Sequence, residues 1–258
     1  MEQPPIDFAT LGLVLLVAAL VAMMTRRVGI PYSVGLVVAG FALALTPIGP
    51  DLHITPSLIM LVFLPPLVFE AAIQIEWRAF RREFPLLLAL VTIGVALAAG
   101  LVAVAMHWLA GWSWLAAAFF GVLIAATDPV SVIAAFKEIR VDHRLQLLVE
   151  SESLLNDGIA ALGFALLVGI SAGAATGPVS IATSLLWIAA GGTACGLAVG
   201  ALALFLTART QDPLVEITLT MIAAYGSFLL ADHFHMSGVL ATLAAGLLVG
   251  NFGKRGYL

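Results

Sequence analysis

The stretch ATDPVSVIAAFKEIRVDHRLQLLVESESLLNDG, residues 126–158, decides how the chain is read. It joins the end of one apolar run, Trp112–Phe136, to the start of the next, Leu145–Ile170, through a connection holding Lys137, Arg140 and Arg144. Within the first run, Asp128 precedes Pro129. Asp is a favoured N-cap and Pro a favoured first helical residue, and the residue before proline is pushed out of the α region. The first run is therefore expected to break near Thr127 and restart at Asp128. Within the second run, Ser153 and Asp157 stand four apart and share one helix face, Asn156 is adjacent, and Glu152 lies well around the helix. Polar groups on two neighbouring apolar runs, one of them broken, point to a helical hairpin with chemistry at membrane depth. Irregular backbone there is tolerated only inside protein or beside a water-filled cavity.

The rest of the chain agrees. Of 258 residues, 62% are apolar, only 10% are charged, and mean hydropathy is +1.12. An ordinary soluble domain carries about 25% charged residues. A soluble enzyme and a nucleic-acid binder are excluded. Cys195 is the lone cysteine, which rules out a disulfide framework or a cysteine metal site. The N-terminal MEQPPID has no basic segment before the first apolar run, so that run reads as a retained span.

A crossing helix needs about 20 apolar residues. Nine candidates occur: Phe8–Met24, Ile30–Leu45, Leu58–Ile75, Phe84–Trp108, Trp112–Phe136, Leu145–Ile170, Ile181–Leu206, Leu214–Ala231 and Ser237–Phe252. The connections after the odd-numbered spans hold Arg26, Arg27, Arg78, Arg81, Arg82, Lys137, Arg140, Arg144, Arg209, Lys254 and Arg255, which are all 11 basic residues. The positive-inside rule then puts the N-terminus outside and the C-terminus in the cytoplasm of a multi-pass cell-membrane protein. Trp108, Trp112 and Trp114 mark an outer boundary. Gly192, Gly196 and Gly200 form a row that lets helices approach closely, within the bundle or between subunits.

Spans two and nine align so that Ala39 meets Ala245 and Gly40 meets Gly246, and they cross in opposite directions. Inverted repeats of this kind build many secondary transporters. The expected domain covers 1–258 and is incomplete at its C-terminus, with a first repeat over about 8–171 and the start of a second over about 214–252.

Ionisable residues within spans are functional hypotheses by default. Glu70 follows Pro65 and Pro66 in span three, and Asp128, Glu150, Glu152 and Asp157 lie in spans five and six. Counting about 1.5 Å per residue from each span's midpoint puts Glu70, Thr127, Asp128, Ser153 and Asp157 within about 7 Å of the membrane centre. A cation and a proton would compete for a carboxylate in such a layer. Its partners are hard oxygen donors, suited to a metal ion such as sodium.

ATDPVSVIA, followed by ESLLNDG, resembles the monovalent cation:proton antiporters of the sodium–proton exchanger type. VFEAAI at 68–73 and EITLTMIAAYGSFLLAD at 216–232 fit the same family. The resemblance implies an all-α membrane fold of about thirteen spans with a broken helix, of which this chain is the N-terminal part. It implies that Asp157, beside Asn156, carries cation and proton alternately. Ser153, Thr127 and Glu70 are then further cation ligands, and Asp128, Pro129 and Glu152 are structural, Glu152 pairing with an arginine on a late helix. One carboxylate in the Asn-Asp pair goes with electroneutral exchange in that family. No cofactor is implied beyond the transported cation and proton. The expected partners are membrane lipid and a second subunit in a homodimer, with no nucleic acid. Two other functions remain: a cation channel, and an intramembrane aspartyl protease using Asp128 and Asp157 as a dyad.

Overall fold

The computed structural model describes residues 8–28, 32–45, 55, 58–129, 132, 133, 136, 139, 141–173, 177–210 and 212–253. Among them the chain forms nine helices: α1 (Phe8–Val28), α2 (Tyr32–Ala44), α3 (Ile59–Gln74), α4 (Trp77–Ala110), α5 (Trp114–Ala125), α6 (His143–Ser171), α7 (Pro178–Thr207), α8 (Pro213–His233) and α9 (Gly238–Phe252). Each corresponds to one apolar span of the sequence. Helices α4, α6, α7 and α8 are each long and apolar enough to cross a membrane. Two compact units result, Met1–Thr55 and Pro56–Leu258.

In the first unit, α1 and α2 meet where a side chain at Gly35 would run into Thr25. Thr25 is buried, and its hydroxyl donates to Val21 O at 3.0 Å within its own helix.

In the second unit, prolines shape the early helices. α3 opens with a π turn, Ile59–Phe63, one residue ahead of Pro65 and Pro66. Pro66 has no N–H for the carbonyl one turn back, and that carbonyl, Val62 O, accepts the Tyr225 hydroxyl of α8 at 2.8 Å. α4 begins at Trp77, seven residues before the apolar run that marks it in the sequence. Its extra turns carry Arg78, Arg81 and Arg82, good helix formers that need no apolar surroundings. It contains Pro85 and a second π turn, Leu90–Gly94, where the Thr92 hydroxyl donates to Leu88 O at 2.6 Å. Gly111, at φ 72°, ends it in the left-handed region that favours glycine. Ser113, Asp142, Asp212 and Ser237 cap the N-termini of α5, α6, α8 and α9 with side-chain acceptors. At the α4–α5 corner, His107 stacks on Trp114 at 4.0 Å and hydrogen-bonds Trp112 O at 2.7 Å.

Short α9 lies at the centre of this unit. Its run Val239–Gly246 is buried throughout, as an apolar helix without a polar face should be. One face meets the glycine row of α7. A Cβ at Gly192 would lie 2.5 Å from Ser237 O, one at Gly200 would lie 3.1 Å from Ala245 Cα, and one at Gly196 would collide with the Ala241 carbonyl. The row is thus used within the chain. Another face meets α3, with Gly246 over Phe69 and Gly250 over Ile73. At the far end Asn251 accepts the Trp77 N–H at 2.7 Å and donates to Ile75 O at 2.9 Å, tying α9 to the α3–α4 turn.

Candidate functional site

α5 stops at Ala125, and residues 126–129 are not helical. Ala126 is extended (ψ 130°), so the break begins one residue before Thr127. The cause is local. In a continuous helix Ala125 O would receive the N–H of residue 129, which is Pro129 and has none. The freed carbonyls are met from α6: Asn156 Nδ2 donates to Ala125 O at 3.1 Å and to Thr127 Oγ1 at 3.1 Å, and Ser153 Oγ donates to Thr127 O at 2.8 Å. After the break, the Ile133 N–H donates to Pro129 O at 2.8 Å, an i to i−4 bond that starts a new helical turn. Asp128 thus stands just before the restart. The chain repeats this arrangement at Asp212-Pro213, where Asp212 Oδ1 accepts the Leu214 N–H at 2.9 Å.

Three predicted residues therefore come together: Thr127, Ser153 and Asn156. Asp157 is half-buried on the same face of α6, one turn beyond Ser153. The next residue, Gly158, lets α6 approach α9, since a Cβ there would lie 2.7 Å from Leu240 Cδ2. Asn156 is 2% exposed, and its Oδ1 has no hydrogen-bond partner among the described residues. A buried acceptor of this kind is costly unless something occupies it, and it belongs to the residue next to Asp157 in the chain.

Glu70 is placed elsewhere. It is exposed, accepts from Gln74 Nε2 at 3.3 Å, and lines a pocket of about 490 Å³ facing Thr220, Met221 and Ala224 of α8. No hydrogen bond joins it to Thr127, Ser153 or Asn156 among the described residues. Glu150 accepts from Gln146 at 2.9 Å. Glu152 is half-buried and forms no ion pair among the described residues. Of the bases in the nearest connection, Arg144 is engaged by Glu83, and Lys137 and Arg140 lie outside the described residues.

That Glu83 contact has no counterpart in the sequence reading. Arg144 clamps the buried Glu83 carboxylate with Nε and Nη2, both at 2.9 Å, and Arg82 Nε adds a bond at 3.1 Å. A signal existed: Glu83 is the sole acid in WRAFRREF, 77–84, among three arginines at the edge of an apolar run.

Known proteins resemble this chain. The chain is 42% identical over 230 residues to the Na(+)/H(+) antiporter ApNhaP of Aphanothece halophytica, covering 88% of this chain and 43% of that protein. It is 38% identical to the low-affinity Na(+)/H(+) antiporter NhaS1 of a Synechocystis strain, covering 94% of this chain and 47% of the relative. It thus spans about half the length of the curated relatives it matches. Among solved structures, the sodium proton antiporter MjNhaP1 from Methanocaldococcus jannaschii superposes with a TM-score of 0.72 at 20% identity, covering 98% of this chain and 63% of that one, which shows the fold. The family model described as sodium/hydrogen exchanger, transmembrane, matches residues 13–257, and the chain belongs to that family.

Proposed function

We propose that the protein exchanges a monovalent cation, sodium foremost, for a proton by alternating access, with Asp157 as the carboxylate that holds each in turn. The observation that carries this reading is the hold of Ser153 and Asn156 on the broken segment 125–127, one residue from Asp157. The exchange needs no covalent chemistry. Proton and cation occupy the same carboxylate oxygens, so loading one expels the other. Ser153 and Thr127 supply hard oxygen ligands, and Asn156 Oδ1 is an unfilled acceptor beside them. Glu70 is a further proposed ligand, reached from the α3–α8 side. Pro129 keeps the Ala125 carbonyl out of a helical bond, and Asp128 caps the restart. One exchanging carboxylate fits electroneutral exchange. Glu152 is proposed to be structural.

The basic residues of alternate connections support an N-terminus outside and a C-terminus in the cytoplasm of a cell-membrane protein, and its proposed partners are lipid and a second copy of the chain. The nine spans are one antiporter domain, with the first inverted repeat over about 8–171 and the second beginning over about 214–252.

The test is transport in vesicles holding the full-length protein under an imposed pH gradient. Added sodium should collapse the gradient at a saturable rate, and clamping the membrane potential should not change that rate. A non-saturating flux that follows the potential would establish a channel instead. The capping role gives a second expectation. Asp128→Asn retains an acceptor for the N-terminus of the restarted helix and should keep most activity, whereas Asp128→Leu should lose it, since losing a cap costs about 1 kcal/mol at a point the site depends on. Equal loss in both variants would show that Asp128 acts through its charge.

A further inference from the structure

We propose that Glu83 and Arg144 are a positioning pair that fixes the height of α6 against α4, and thereby sets where Ser153, Asn156 and Asp157 meet the broken segment. The proposal rests on the exchange reading above.

Helix α6 enters the core through Leu147, Leu155 and Leu162. Such contacts are non-directional and leave a helix free to slide along its axis. Its height must come from directional contacts. Among the described residues, α6 makes side-chain hydrogen bonds to other elements in two places: Ser153 and Asn156 on residues 125–127, and Arg144 on Glu83. The Arg144 bond is a two-pronged fork, which fixes angle as well as distance. Its placement is not explained by helix stability. Arg144 lies in the first turn of α6, where the helix dipole disfavours a cation. Glu83 is 6% exposed, so the acid is held inside the protein and not in open water.

The partner helix of this clamp also carries the other side of the site. α5 is pressed onto α4 at Gly121, where a Cβ would strike the Ala99 carbonyl and lie 3.3 Å from Ala103 N. The heights agree. Along α4, Ala99 stands about 24 Å from Glu83, and antiparallel α5 returns about 6 Å from Gly121 to Ala125. Ala125 is left about 18 Å above Glu83, and α6 climbs the same distance of about 18 Å from Arg144 to Asn156. Asn156 Nδ2 reaches Ala125 O at 3.1 Å where the two paths meet. Helix α4 is thus the frame, with the broken segment fixed to it through Gly121 and α6 fixed to it through Glu83.

The experiment uses the full-length protein in vesicles, with Glu83→Gln, Arg144→Gln, the double variant and Arg144→Lys. Both single changes should raise the apparent sodium KM about tenfold, at the amount of folded protein of the unaltered chain. The double variant should be no worse than the worse single, as coupled residues behave. Arg144→Lys keeps the charge without the fork and should fall between. A pair that merely stabilised the fold would instead lower the total rate in proportion to folded protein, with KM unchanged. A second readout is independent of transport: spin labels at Leu123→Cys and Ala161→Cys, in a Cys195→Ser background, report the setting of α5 against α6. The single label-to-label distance should broaden or shift in Glu83→Gln. An unchanged KM, an unchanged distance, or fully additive effects in the double variant would overturn the proposal. Absence of sodium-dependent flux from the unaltered protein would bring down the exchange reading instead, and the label distance would still decide whether the pair holds α6 in register.

Discussion

Vesicles carrying Asp157→Asn should show no sodium-driven proton movement above that of empty vesicles, while the protein remains folded. The substitution keeps the size and planar shape of the side chain and removes the one property exchange requires, a site that is stable both with a proton and with a cation. An amide oxygen can contact a cation but takes up no proton at the pH of a cell, so it cannot alternate between the two. The change leaves Ser153 and Asn156 free to hold the broken segment, because neither of their bonds uses Asp157. Loss of activity would thus not be loss of architecture, and size-exclusion behaviour and thermal unfolding in detergent should match the unaltered protein. Asp157→Glu keeps a carboxylate but moves it by about one bond length toward a neighbour, and should retain measurable exchange with altered sodium affinity. Normal exchange by Asp157→Asn would remove Asp157 from its role and transfer attention to Glu152, Glu70 or Asp128, other carboxylates within the spans.

The parts of this architecture legible in the sequence were those fixed by local chemistry. Pro129 cannot donate to Ala125 O wherever the chain goes, so a break near Thr127 follows from one residue. The restriction of every basic residue to alternate gaps between the apolar runs supports nine spans, because one span too many or too few in the middle would mix them. What was not legible depends on azimuth. Counting rise per residue put Glu70 in the layer of Thr127 and Asp157, but depth does not say which way a side chain points. In the structure Glu70 looks toward Thr220 and Met221 of α8. Nor could spacing name the partners of the orphaned groups. That Ala125 O needs a donor follows from the sequence, whereas its donor being Asn156, or Tyr225 being the donor for Val62 O, requires the packing of separate helices. The Glu83–Arg144 pair joins residues 61 apart, and the glycine row could equally have served a second subunit until α9 was found against it.

Gly196→Ala should be among the most damaging single-methyl additions in the chain. Apolar side chains gain little by leaving lipid for a helix interface, so helices in a membrane are held by close packing between small residues. At Gly196 that closeness reaches its limit: a Cβ built there meets the carbonyl oxygen and carbon of Ala241, which are backbone atoms of a helix buried on several sides. A flexible side chain could swing away, but this carbonyl can retreat only if α9 moves as a body. α9 is held on its other face by Gly246 over Phe69, and at its end by Asn251 on the α3–α4 turn. Overpacking in tight cores costs about 1–3 kcal/mol, and a clash with fixed backbone belongs at or above the upper end. The control is Gly100→Ala on α4, where nothing lies within 4 Å of the added methyl. There the helix propensity of alanine should stabilise by up to about 1 kcal/mol. Thermal unfolding in detergent should separate the two variants clearly, with Gly196→Ala lowered or failing to give monodisperse protein and Gly100→Ala at or above the unaltered value. Equal midpoints would mean that α7 and α9 are not in backbone contact. The consequence reaches the exchange site, because Leu240, in the first turn of α9, rests on Gly158 beside Asp157. Gly196→Ala protein that still folds should therefore bind sodium more weakly even though the substitution touches no ligand.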